Sequence, residues 1–102
     1  MQNLIKAKTS TNTAILTSAG TALAANEARM SYKIQNLGTN PLFVKEGASA
    51  STSDFSYILA AGTGADNGTG AVEDESSNVV YVGIITVAGT SPRFVAVERT
   101  QD

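Results

Sequence analysis

Asp66-Asn67-Gly68-Thr69-Gly70 is where the residue types of this 102-residue chain come closest to holding a ligand. Asp and Asn alternating with Gly present carboxylate and carbonyl oxygens of the kind Ca²⁺ takes. The EF-hand spacing of oxygen ligands is absent, however, and so is its terminal bidentate Glu. The same residues are what a tight turn with positive φ requires, so the expectation is a turn and no metal. Glu73-Asp74-Glu75 reads as a solvated loop whose three carboxylates would meet a basic partner, if they meet one. Gly62-Thr63-Gly64 and Gly68-Thr69-Gly70 resemble a phosphate-binding loop only superficially. Neither is followed by Lys-Ser/Thr and neither opens a helix.

Catalytic equipment is sparse. The chain has no His and no Cys, which removes the usual general base near neutral pH, the commonest metal ligand and the thiol nucleophile. Hydroxyls are abundant, but without His their usual activation is missing. Asp54, Asp66 and Glu98 could in principle form the paired carboxylates of a glycoside hydrolase, yet a domain of this size has little room for the cleft. No catalytic residue, cofactor or small-molecule substrate is expected, and an enzyme is not. The seven basic residues are scattered and the net charge is −2, so there is no cluster to neutralise nucleic-acid phosphates. No apolar run approaches the roughly 20 residues that span a bilayer. The first residues have only one apolar pair before Lys6, unlike a secretory signal.

Charged residues make up 16% of the chain, against about 25% in a typical soluble domain. The resulting neutral, hydroxyl-rich surface suits close contact with other subunits, because little charge must be desolvated. An ordinary small β domain with few charges fits the same composition.

The elements that must position these residues are short strands. In residues 29–47, Met30, Tyr32 and Ile34 alternate with Ser31, Lys33 and Gln35, the two-residue period of a half-buried strand. Turn formers occupy residues 36–41, and Leu42-Phe43-Val44-Lys45 is a second strand, so the stretch reads as a β-hairpin. Further strands are expected at residues 14–17, 54–60, 79–87 and 93–99. The run at 79–87 is apolar on both parities, as in a central strand, and Gly83 within it signals a bulge or a close backbone approach. Residues 21–30 read as extended or as a single turn. Residues 61–78 form the longest stretch without apolar periodicity, a loop of the length that tends to be functional or mobile. The whole reads as one all-β domain over residues 14–102, a small antiparallel β-sandwich or β-barrel with an extended N-terminal arm at residues 1–13. A frayed terminus and an arm that orders on a neighbouring subunit both fit that arm; in the second case Leu4 and Ile5 are its anchors.

Most of the six aromatics fall at core positions of the strands. Phe43 is different: it shares parity with Lys45 rather than with Leu42 and Val44, so it faces outward, where it suits an interface anchor or a surface for carbohydrate stacking.

Ala25-Asn26 with Arg29, Ile34-Gln35-Asn36, Gly38, Asn40-Pro41, Val44 and Gly47, then Leu59 and Gly62, make up a set of turn-and-strand signatures. With the closing Ala88-Gly89-Thr90-Ser91-Pro92-Arg93 they resemble small β proteins of tailed-bacteriophage virions, of head-decoration (cement) or head-fibre type. Similar segments occur in tail components. The resemblance covers most of residues 24–99 and leaves out the N-terminal arm and Glu73-Asp74-Glu75. It implies a structural role on the phage head surface, with the major capsid protein and copies of this chain, in a trimer, as partners. It also leaves open a tail or fibre module that binds a host glycan. The residues assigned to partner contact are Leu4, Ile5, Phe43, Asp66 and Asn67.

Overall fold

In the computed structural model, which describes residues 6–75 and 79–101, the alternation of residues 29–36 is realised as strand β3 (Arg29–Asn36). Tyr32 and Ile34 are fully buried, while Lys33 and Gln35 are only half covered. The expected alternation fails at the start of the strand, where Ser31 is buried and Met30 half covered because the register is irregular there. The other strands are β1 (Thr9–Asn12), β2 (Gly20–Leu23), β4 (Leu42–Glu46), β5 (Tyr57–Leu59), β6 (Val72–Glu75), β7 (Ile85–Ala88) and β8 (Phe94–Thr100). They form two four-stranded sheets, ordered β1-β8-β3-β6 and β2-β7-β4-β5. Every strand pairing is antiparallel. The sheets pack face to face as a small β-sandwich, so the expected all-β class holds, and the sandwich rather than the barrel is the form it takes. Tyr32, Ile34, Phe94 and Ala96 of the first sheet meet Leu42, Val44, Leu59, Ile85 and Val87 of the second in one core.

The hairpin expected over residues 29–47 does not form. Both of its strands are present, but β3 lies in the first sheet and β4 in the second. Their apolar sets, Tyr32 with Ile34 and Leu42 with Val44, bury each other across the sandwich, which edge-to-edge pairing in one sheet would not achieve. The crossing is held by Asn36, itself buried. Its amide donates to the carbonyls of Asn40, Leu59 and Ala60, and its oxygen accepts from Gly38 N. Gly70 runs against this corner so closely that a Cβ there would collide with the Asn36 carbonyl oxygen.

Other boundaries shift for identifiable reasons. The strand expected at 79–87 begins only at Ile85, because the preceding carbonyls are bound elsewhere. Tyr81 O and Gly83 O accept from the Arg29 guanidinium, and Val82 O accepts from Asn26 N. From Ile85 to Ala88 the strand is central and wholly buried, as the double apolar parity requires. Gly83 is a close approach, since a Cβ there would meet the Tyr81 side chain. Residues 21–30 combine the end of β2 with a turn in which Asn26 Oδ1 accepts from Ala28 N. The first strand is not at residues 14–17, where Leu16 makes only a bridge to Phe94; it lies earlier, at Thr9–Asn12. The second half of the expected arm is therefore an edge strand on β8. Glu73-Asp74-Glu75 is likewise not a loop: it belongs to edge strand β6.

Candidate interaction surface

The outer face of the second sheet is built by parity. Leu42 and Val44 point into the core, so Phe43 and Lys45 point away from it. Across the β4–β5 register Ile58 stands directly opposite Phe43, and across the β4–β7 register Ala88 does. Directly opposed residues share a face, so Ile58 and Ala88 flank Phe43 on the outside. Phe55 completes the group. Ser51 and Asp54 exchange main-chain hydrogen bonds, and Ser56 N donates to Val44 O at 2.7 Å, which presents the intervening Phe55 over β4. Its ring meets that of Phe43 edge to face, with centroids 5.2 Å apart at 64°. Phe55 stays 38% exposed and Ile58 48%. The Lys45–Asp54 ion pair, at 2.6 Å, borders the patch. Farther along this outer face Thr21 is exposed, whereas Thr86 opposite it is covered. Thr86, opposite Lys45, is buried because its hydroxyl donates to Gly47 O and accepts from Ala50 N. An open groove of about 470 Å³ remains beside it, lined by Gly20, Thr21, Ala48, Ser49 and Ala50 among others.

Phe43 thus stands on an exposed apolar surface, joined by Phe55 and Ile58. The strand expected over residues 54–60 begins only at Tyr57, which leaves Phe55 in the preceding turn. Ile58, of opposite parity to Tyr57 and Leu59, faces outward without the sequence reading having singled it out. Leu4 and Ile5 lie outside the described residues.

Asp66 and Asn67 belong to a different place, where Asp66 is engaged by Arg93 and Asn67 by its own loop. Asp66 has φ +58° and Gly68 φ +81°, the conformation that the Asp-Asn-Gly run was expected to serve. The Asp66 carboxylate takes a two-pronged bond from Arg93, at 2.7 Å to Nε and 2.6 Å to Nη2. Those hydrogen bonds hold its carboxyl below the usual carboxylate range and push the guanidinium up. Asn67 donates to Thr63 Oγ1 and accepts from Thr69 N, which closes the loop. Nor do the three carboxylates considered for hydrolysis come together. Asp54 pairs with Lys45, Asp66 with Arg93 and Glu98 with Arg29. Among the described residues no group of three Asp or Glu side chains is placed to hold a metal ion.

Two buried polar clusters escaped the sequence. The register places a bulge between Arg29 and Ser31 and sets Arg29 opposite Thr100. Thr100 shares the inward parity of Phe94, Ala96 and Glu98, so the bulge turns Arg29 inward. There its Nε donates to Glu98 at 2.7 Å, and its two terminal nitrogens donate to the carbonyls of Ala24, Tyr81 and Gly83. The second cluster centres on Tyr32, whose hydroxyl donates to Glu46 Oε2 at 2.6 Å and lies 3.1 Å from the Tyr57 hydroxyl. Burial, reinforced by the bond to Glu46, drives the Tyr32 phenol far above its ordinary range. Burial and the charges of Glu73, Glu46 and Glu75 push Tyr57 up to about 12, against the opposing effect of its bond with Tyr32. Glu75 is raised by its hydrogen bond with Glu73 and by partial burial. Both phenols are held in the protonated form, as partners in the hydrogen-bonded cluster with Glu46.

No protein-family model, curated protein or solved structure matches this chain.

Proposed function

We propose that this chain is a structural protein of a tailed-bacteriophage virion, a head-decoration (cement) protein attached to the major capsid protein and to copies of itself. The observation that carries the reading is the Phe43–Phe55–Ile58 surface on a molecule with few charges. The resemblance of the turn-and-strand pattern in residues 24–99 to small virion proteins points the same way. A shell filled with DNA is thin and under pressure. A subunit that spans neighbouring capsomers adds interface at each junction, and symmetry multiplies the contribution. A trimer at quasi-three-fold positions fits this role. The role requires no chemical step, nucleic acid, membrane or small molecule.

The test is attachment. Particles lacking this chain are incubated with the purified protein or with its Phe55→Ser and Ile58→Ser variants, and an image reconstruction locates the copies. The wild type should decorate the head about its symmetry axes, and the variants should bind at least tenfold more weakly while remaining folded. Density on the tail, or undiminished binding by both variants, overturns the assignment. One observation favours a second reading, a tail or fibre module that binds a host glycan: Phe43 and Phe55 offer exposed ring surface of the kind sugars stack on. Saturable binding of an oligosaccharide that is lost in Phe55→Ser would select it.

A further inference from the structure

β1 is tied to the molecule by a different means from the strands of the core. All four residues of Thr9–Asn12 are exposed, so the strand commits no side chain to the interior. It is held by its register on β8, from Thr9 opposite Thr100 to Asn12 opposite Val97. Flanking main-chain bonds run from Lys8 N to Thr100 O and from Thr13 N to Ala96 O, each 2.8 Å. Behind it the half-buried Thr13 accepts a bond from Ala96 N through its hydroxyl, and Leu16, half-buried against the core, exchanges main-chain bonds with Phe94. Residues 17–20 are then all exposed, and Gly20 has φ +131° with nothing within 4 Å of a Cβ position. This exposed stretch carries the chain from the edge of the first sheet to β2 in the second.

We propose that residues 6–16 exchange between copies of this chain, each copy laying its β1 on the β8 edge of a neighbour. The acceptor needs no new complementarity, because it is the edge that β1 already occupies in its own molecule. The backbone hydrogen bonds and the Leu16 plug are the same in both closures; only the path of residues 17–19, between Leu16 and β2, differs. Choice between the closures then falls to the local concentration of copies, which is high wherever they stand side by side. A second copy is favoured over an unrelated edge because it alone presents the Phe94 end that receives Leu16. The inference goes beyond the virion assignment and stands without it, since it concerns any setting in which copies meet.

The absence of cysteine allows a clean test. In the full chain, Asn12→Cys combined with Val97→Cys places one facing pair across β1 and β8, and Ser10→Cys combined with Arg99→Cys a second. Each variant is folded at low and at high protein concentration, oxidised, and run on a denaturing, non-reducing gel. Exchange yields chains linked to one another, in a share that grows with concentration and exceeds that of the single-cysteine variants. Bridges within single chains at every concentration, in both pairs, overturn the proposal. So does failure of either pair to bridge at all, because β1 would then not lie on β8.

Discussion

Replacing Arg29 by Met tests whether one buried side chain organises an end of the sandwich. Met keeps much of the length and the apolar stem but removes every donor. The Arg29 side chain is 0% exposed and Glu98 18%, so the variant leaves a largely enclosed carboxylate without its cation. It also leaves three carbonyls, of Ala24, Tyr81 and Gly83, without their donor. Breaking a buried pair by deleting one partner costs about 3–5 kcal/mol. The residual opening at Glu98 admits some water and lowers the cost, whereas each carbonyl left dry adds about 1–3 kcal/mol. A net loss of about 4 kcal/mol is expected. For a domain of this size each 1 kcal/mol shifts Tm by about 4–8 °C, so Tm should fall by about 16–32 °C. Urea titration followed by circular dichroism measures the loss directly, and the neighbouring Glu98→Gln, which keeps an acceptor oxygen, should cost about 1–2 kcal/mol. Hydrogen exchange should also become faster at residues 80–84, where the guanidinium fastens the carbonyls of Tyr81 and Gly83. A loss below about 1 kcal/mol, the value of an exposed ion pair, refutes the reasoning, because water would then be satisfying all four acceptors.

Gly70→Ala should lose about 1–3 kcal/mol in the same titration, since the collision is with the Asn36 carbonyl, a backbone atom that cannot swing aside. Glu75→Gln should flatten the pH dependence of stability. The raised pKa of Glu75 means that its contribution is present below the ordinary carboxylate range and is lost as pH rises through the raised value. The variant should therefore melt higher than the wild type at neutral pH, and an unchanged or lower Tm there would refute the assignment. Asp66 has the opposite sign: its lowered pKa supplies stability above the ordinary range that is lost as pH falls through the lowered value. A chelator should leave Tm unchanged, and a large drop would promote Asp66 and its neighbours from turn to metal site.

Much of the molecule follows from local patterns. The two-residue period of β3, the double apolar parity of β7 and the outward parity of Phe43 are properties of single segments, each read without knowing what lies across from it. The Asp66-Asn67-Gly68 turn is likewise local, because positive φ is tolerated or refused by the residue itself. The pairing of strands was not readable in this way. Residues 29–36 and 42–46 have the alternation and turn formers of a hairpin, and nothing within them states that their apolar faces will be pressed together from opposite sheets. Thr9–Asn12 has no apolar residue at all, so no periodicity marks it as a strand; β8 makes it one by offering an open edge. Glu73 and Glu75 look solvated in sequence and become half-covered because β3 sets them opposite Ile34 and Tyr32. The Arg29 cluster depends on a one-residue bulge that reverses a side chain and brings together groups 69 residues apart. Side-chain direction along a strand is set by neighbouring residues, whereas sheet partners, edges and buried polar contacts are set by which distant segments can cover one another, and only the folded chain decides that.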